Sequence, residues 1–231
     1  MILFIIYTLL KKYKVQRWIK TYSKISKFLK VSIHTIYDSL LIRLMLLLPI
    51  VSIAQNVQLN YKIMQGRNDI GWLRIEKNST GNKSELLLVS EIKTKVILPI
   101  TLFTRESSTF ENGKLIYSSQ FRKTNGTTKL DKQTKLVEDK YEVLENGEKV
   151  KLAFPTVYTN LLSLYFQEPI TSNSVYCDRQ QCFVKITKTE DGGYKMKFPN
   201  GNSNCFYYKE GICTKIKIDH SFYSAEIILK P

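Results

Sequence analysis

Four cysteines, Cys177, Cys182, Cys205 and Cys213, are the side chains of this 231-residue sequence best equipped for chemistry, and all lie in its last quarter. Their spacings fit no common zinc-ribbon pattern, and no Cys-x-x-Cys redox motif is present. An even count in an exported chain favours two structural disulfides. Asp178-Arg179-Gln180-Gln181 reads as a four-residue loop that sets Cys177 opposite Cys182 across a hairpin. For the other two the register is less convenient: a loop of Lys209-Glu210-Gly211 pairs Tyr207 with Cys213 and leaves Cys205 diagonal to it. Three connectivities are open, and 177–182 with 205–213 is the favoured one.

Catalytic constellations are scarce. The two histidines are His34 and His220, and His220 shares the period of Ile216 and Ile218 at a strand end, where a packed or rim imidazole is the simplest role. No Gly-x-Ser-x-Gly elbow accompanies it. One body histidine and scattered carboxylates offer no metal site, and no phosphate-cradling Gly-rich loop appears. No catalytic residue, metal or cofactor is therefore expected. An unrecognised hydrolase built on paired carboxylates is the third-ranked reading. Asn78-Ser79-Thr80, Asn82-Lys83-Ser84 and Asn125-Gly126-Thr127 match the glycosylation sequon, which matters only on a eukaryotic secretory route.

The formal charge of +15 divides unevenly. Residues 1–54 hold nine Lys/Arg and one Asp, or +8; residues 55–231 hold 26 Lys/Arg and 19 Asp/Glu, or +7. Leu44–Ala54 is an apolar run directly after Arg43, ending in Ser52-Ile53-Ala54. A basic flank, a short apolar region and a small-x-small ending make a secretory signal, with cleavage expected after Ala54 and a periplasmic or secreted product. An inner-membrane anchor is the alternative, although the run is short of the roughly 20 apolar residues a span needs. Residues 1–43 are a basic and apolar extension that the signal does not require, which points to a misassigned start. Membrane contact is expected only through this N-terminal segment if it stays uncleaved. In the body, Lys and Arg alternate with Glu and Asp, and no arginine stripe interleaved with aromatics marks a nucleic-acid groove.

The body must position whatever site exists, and its hydrophobic period is two. Val57, Leu59, Tyr61 and Ile63 alternate with polar residues. Leu86, Leu88, Ile92, Val96 and Leu98 follow, then Leu115, Tyr117 and Phe121, then Val137, Tyr141 and Val143. Asn112-Gly113 and Asn146-Gly147 are hairpin turns, since a type I′ turn needs positive φ at both central residues. Strands resume at Ser174–Cys177 and continue to Leu229. Between them Val157–Gln167 carries Tyr158, Leu161, Leu162 and Tyr165 at helical spacing, with Thr156 able to cap and Glu168-Pro169 ending the run. The expected fold is mainly β: one domain over 55–231, a curved antiparallel sheet (half-barrel or open barrel) wrapped on one short buried helix.

A family resemblance rests on these residues. Tyr61-Lys62-Ile63 with Ile70-Gly71, Phe110-Glu111-Asn112-Gly113 with Leu115, Thr124-Asn125-Gly126, and Leu161–Phe166 with Glu168-Pro169 occur in that order. Phe198-Pro199-Asn200-Gly201-Asn202, Tyr207-Tyr208 and Gly211 to Leu229 complete the set. Together they resemble an uncharacterised family of exported Gram-negative proteins, a domain of unknown function, similar in plan to periplasmic lipoprotein-carrier half-barrels. The resemblance implies a sheet wrapped on a helix with a concavity able to hold acyl chains, and it transfers no catalytic residue. The expectation is a periplasmic binding or scaffold protein holding a lipid-like ligand between sheet and helix. Trp72, Phe103, Tyr158, Leu162, Tyr165 and Phe166 are candidate lining residues by type and spacing, with ordinary core as their plain alternative. The second reading is a structural or partner-binding envelope protein with no small ligand.

Overall fold

A computed structural model describes residues 55–231 apart from 96–98, 146, 154 and 222. The expected extension, signal and cleavage point at residues 1–54 lie outside the described residues. Fourteen strands follow: β1 Gln55–Gln65, β2 Asn68–Thr80, β3 Lys83–Lys95, β4 Pro99–Glu111, β5 Lys114–Thr124, β6 Thr127–Val137, β7 Lys140–Glu145 and β8 Glu148–Leu152. After a long connection come β9 Ser174–Cys177, β10 Cys182–Lys188, β11 Tyr194–Lys197, β12 Ser203–Lys209, β13 Ile212–His220 and β14 Tyr223–Leu229. They form one antiparallel sheet in the order β8-β7-β6-β5-β4-β3-β2-β1-β14-β13-β12-β11-β10-β9. Chain neighbours pair within β1–β8 and within β9–β14, and β1 pairs with β14, so two meanders join through the first and last strands.

The turn chemistry explains the meander. Asn112 and Gly113 have φ of 49° and 75°, and Asn125 and Gly126 have 49° and 80°, the doubly positive geometry of tight hairpins. Gly71 serves differently: a Cβ there would sit 2.9 Å from Ile92 Cα and against the Glu91 carbonyl oxygen, so β2 and β3 approach too closely for a side chain.

The sheet curls. Lys132 on β6 donates to the Arg179 carbonyl in the β9–β10 loop at 3.2 Å, although β6 and β9 stand near opposite ends of the strand order. Residues 155–170 form a strap that buries Val157, Asn160, Leu162, Leu164 and Tyr165 in the interior and leaves Tyr158 and Ile170 outside. Leu115 N donates to Val157 O at 2.8 Å on one side, and Tyr176 N donates to Thr159 O at 3.0 Å on the other. A parallel bridge between Asn160 and Tyr176 covers the free edge of β9. Tyr141 OH secures the strap, donating to Leu115 O and accepting from Val157 N at 2.9 and 3.1 Å.

The strap is not the expected helix. It is extended up to Asn160 and then makes one 3₁₀ turn, Ser163–Tyr165; no α-helix occurs among the described residues. The side chains of Asn160 and Ser163 compete with helical pairing. Ser163 N donates to Asn160 Oδ1, and Ser163 Oγ donates to Asn160 O, which closes a local turn instead. Some of the strap's apolar residues still pack as expected, whereas Tyr158 is exposed and Leu161 and Phe166 are only partly buried. Val157, Leu162 and Leu164 are buried against both arms, and burying each contributes about 1.5–3 kcal/mol. The Tyr165 ring stands edge-on to Tyr61 at 5.5 Å and to Phe206 at 6.2 Å, bridging β1 and β12.

Candidate functional site

Two features of the interior are built for more than packing. The first is a cleft of about 170 Å³ where the strap leaves the sheet, floored by Leu86 and Phe110 and walled by Tyr158 and Phe166. Strand alternation directs Leu86 and Phe110 inward, and the turn at Asn160 swings Tyr158 and Phe166 onto the same opening. Tyr158 is 61% exposed. Lys77 is the one cation of the lining, with its Nζ 5.9 Å from the Phe166 ring centroid, a cation–π distance. Such a cleft accepts one apolar side chain or chain end beside an anionic group. It is smaller than the roughly 300–1,000 Å³ of small-molecule pockets.

The second is a polar clasp across the seam between the two arms. Glu106, Gln120, Lys132 and Glu145 stand side by side in register across β4, β5, β6 and β7. Lys132, almost fully buried, lies 2.9 Å from Glu145 Oε2. The β9–β10 loop lowers buried Asp178 onto this row. Asp178 Oδ2 accepts from Asn160 Nδ2 at 3.0 Å, and that same amide nitrogen donates to Ser108 Oγ at 2.7 Å. Burial pushes the Asp178 and Glu106 carboxyls above the ordinary carboxylate range, partly opposed by Ser118 beside Asp178 and Arg122 beside Glu106. Burial also lowers Arg122, and the neighbouring Arg179 charge adds to that. The bonds described here join strap, sheet and hairpin loop to one another, which is the work of a fastening.

The family described as Domain of unknown function (DUF6134) matches residues 61–230. The chain belongs to this family. The sequence's resemblance to an uncharacterised family is thereby confirmed over nearly the whole body. No curated protein matches. Among solved structures the chain is similar to the "Beta-barrel-like Protein of Domain of Unknown Function DUF1849 from Brucella abortus", at 11% identity and a TM-score of 0.49, over 77% of this chain and 96% of that one.

Within the DUF6134 body the six candidate lining residues separate into three groups. Tyr158 and Phe166 meet at the cleft. Leu162 and Tyr165 are buried in the core. Trp72 and Phe103 point outward, since their neighbours Leu73 and Thr104 are the buried ones. Sequence reasoning missed Lys77 and the whole clasp, whose residues look like any wet-face charges. A β-bulge turns part of the clasp inward: the register shifts between Thr109 and Phe110, and Leu115 faces in while Tyr117 and Phe121 face out. Ser118 and Gln120 are the inward pair.

All four cysteines are thiols in the structure. Cys177 and Cys182 stand directly opposite in register, as the loop length requires. Cys205 does not face Cys213. It pairs with Lys217, beside a buried Phe206 that points the other way, whereas Cys213 is fully buried in the core. Cys213 stands opposite Tyr208 rather than the expected Tyr207, because the turn is the two residues Glu210-Gly211, and this puts Cys213 on the face opposite Cys205.

Proposed function

We propose that this DUF6134 protein is a non-catalytic, exported envelope protein that holds a partner protein rather than a lipid. The observation that carries the reading is the filled interior. Val157, Asn160, Leu162 and Leu164 are each at most 3% exposed, occupying the space an acyl chain would need. The cleft left beside Tyr158 suits a single apolar side chain flanked by an acidic residue, to which Lys77 supplies the opposite charge. Export is supported by the apolar run Leu44–Ala54 behind Arg43.

The test is a photo-crosslinking amino acid placed at Tyr158 in an expressing cell, read beside a native mass spectrum of the protein from the envelope fraction. One discrete protein adduct from Tyr158, absent when Lys77 is changed to Glu, supports the reading. A lipid captured at Tyr158, with the matching lipid-sized adduct in the native spectrum, overturns it and returns the protein to the lipid carriers.

A further inference from the structure

The outer face of β2–β5 departs from the polar exterior that alternation ordinarily gives an antiparallel sheet. One row across it reads Lys62, Trp72, Glu91, Phe103, Lys123, and the next reads Arg74, Val89, Arg105, Phe121, with exposed Asp131 of β6 beyond Phe121. Trp72, Val89, Phe103 and Phe121 are therefore diagonal neighbours, a spacing that aromatic side chains span. Trp72 is 38% exposed and the other three are partly exposed.

The charges around this diagonal are unbalanced. Arg74 is matched by Glu76 at 3.1 Å, and Glu91 by Lys93 at 2.7 Å. Lys62, Arg105 and Lys123 form no ion pair among the described residues, and Lys123 Nζ lies over the Phe121 ring at 5.3 Å. An aromatic ridge flanked by unmatched cations on long stems is the composition that settles into an anionic bilayer surface: rings enter the headgroup layer and the amines snorkel to phosphate. A second copy of this chain is disfavoured, because its body carries +7 as well. The outward curve of the sheet also suits a deformable, nearly flat surface, whereas a protein partner would need a matching hollow.

We propose that the outer face of β2–β5, through Trp72, Phe103 and Phe121 with Lys62, Arg105 and Lys123, docks the body onto an anionic lipid surface. This goes beyond the partner cleft and beyond the expectation that only the N-terminal segment touches lipid.

The chain has two tryptophans, so Trp18→Phe in the full-length protein leaves Trp72 as the sole reporter on this face. Vesicles of phosphatidylglycerol and phosphatidylcholine in equal parts are expected to shift Trp72 emission to the blue and shield it from acrylamide, whereas pure phosphatidylcholine does neither. Changing Arg105 and Lys123 to Ser, exposed positions that leave the fold intact, is expected to weaken the response on the order of tenfold. Co-sedimentation with an unshifted Trp72 overturns the proposal, because the N-terminal segment alone is then bound. The same shift with polyglutamate in place of vesicles also overturns it, and assigns the face to an acidic polymer.

Discussion

Asn160 and Asp178 meet inside the curled sheet, where the Asn160 amide nitrogen donates to Asp178 Oδ2 at 3.0 Å. One belongs to the strap and the other to the β9–β10 loop, and Ser108 on β4 accepts from the same nitrogen. Three distant pieces of chain thus share one donor. The contact does for the seam what a ladder does elsewhere: it fixes one arm of the sheet relative to the other through side chains.

Replacing Asn160 by Leu should therefore destabilise the fold by about 1–3 kcal/mol, the cost of leaving buried Asp178 and Ser108 without their donor. Urea unfolding checks it: the midpoint is expected to fall while the slope is unchanged. A loss below about 0.5 kcal/mol would show that the clasp is ornamental to stability.

The clasp also sets a pH dependence. Burial holds the Asp178 and Glu106 carboxyls above their ordinary values, so the folded chain keeps those protons more tightly than the unfolded one. Stability from these groups is complete below the ordinary carboxylate pKa of about 4 and falls as pH rises toward the folded values. Asp191 acts in the opposite sense and lower on the scale: hydrogen bonds from Thr189 and Tyr207 depress it, and its contribution is lost only as pH falls through that depressed value. Urea midpoints measured upward from about pH 4 should decline. Asp178→Asn should flatten the decline, and an unchanged slope would place the titration elsewhere.

Gly71 offers a sharper test of the sheet itself. A methyl at this position runs into the backbone of Glu91 and Ile92, and backbone cannot step aside as a flexible side chain can. Gly71→Ala should cost at least about 2 kcal/mol, whereas Gly66→Ala meets nothing within 4 Å and pays only for its φ of 59°. Equal midpoints for the two variants in urea would contradict the close approach.

How far the sequence could be read follows from where its period held. The alternation at Tyr61 and Ile63 and at Leu86 and Leu88 is unbroken, and those residues are core. The Asn112-Gly113 pair determines its turn by backbone sterics alone, whereas Asn146 of the second expected turn lies outside the described residues. The extra residue at Ile116 is invisible in composition, yet it flips every side chain beyond it, so Phe121 reads as core and lies outside. The strap misled for another reason. Apolar residues at helical spacing demand burial on many sides, but they do not dictate the backbone when Asn160 and Ser163 supply their own turn. The clasp was illegible because Asn160, Asp178 and Ser108 come together from separate segments of the chain, and hydrogen bonds of that kind leave no local pattern.

Register makes the cysteines unequal. Cys177 and Cys182 face one another across β9 and β10, the relation a cross-strand disulfide needs, whereas Cys205 and Cys213 lie on opposite faces of their hairpin. Protein secreted into an oxidising compartment is expected to carry one disulfide, 177–182, and to gain the mass of two hydrogens on reduction. Cys205 is partly exposed and should react with a maleimide in the native state. Cys213, whose thiol burial pushes up to about 12, should react only after unfolding. A denaturing mass spectrum with and without reductant decides the count, and native-state labelling decides the assignment. A second disulfide joining 205 to 213 would mean that β12 and β13 pair in a different register from the one described here.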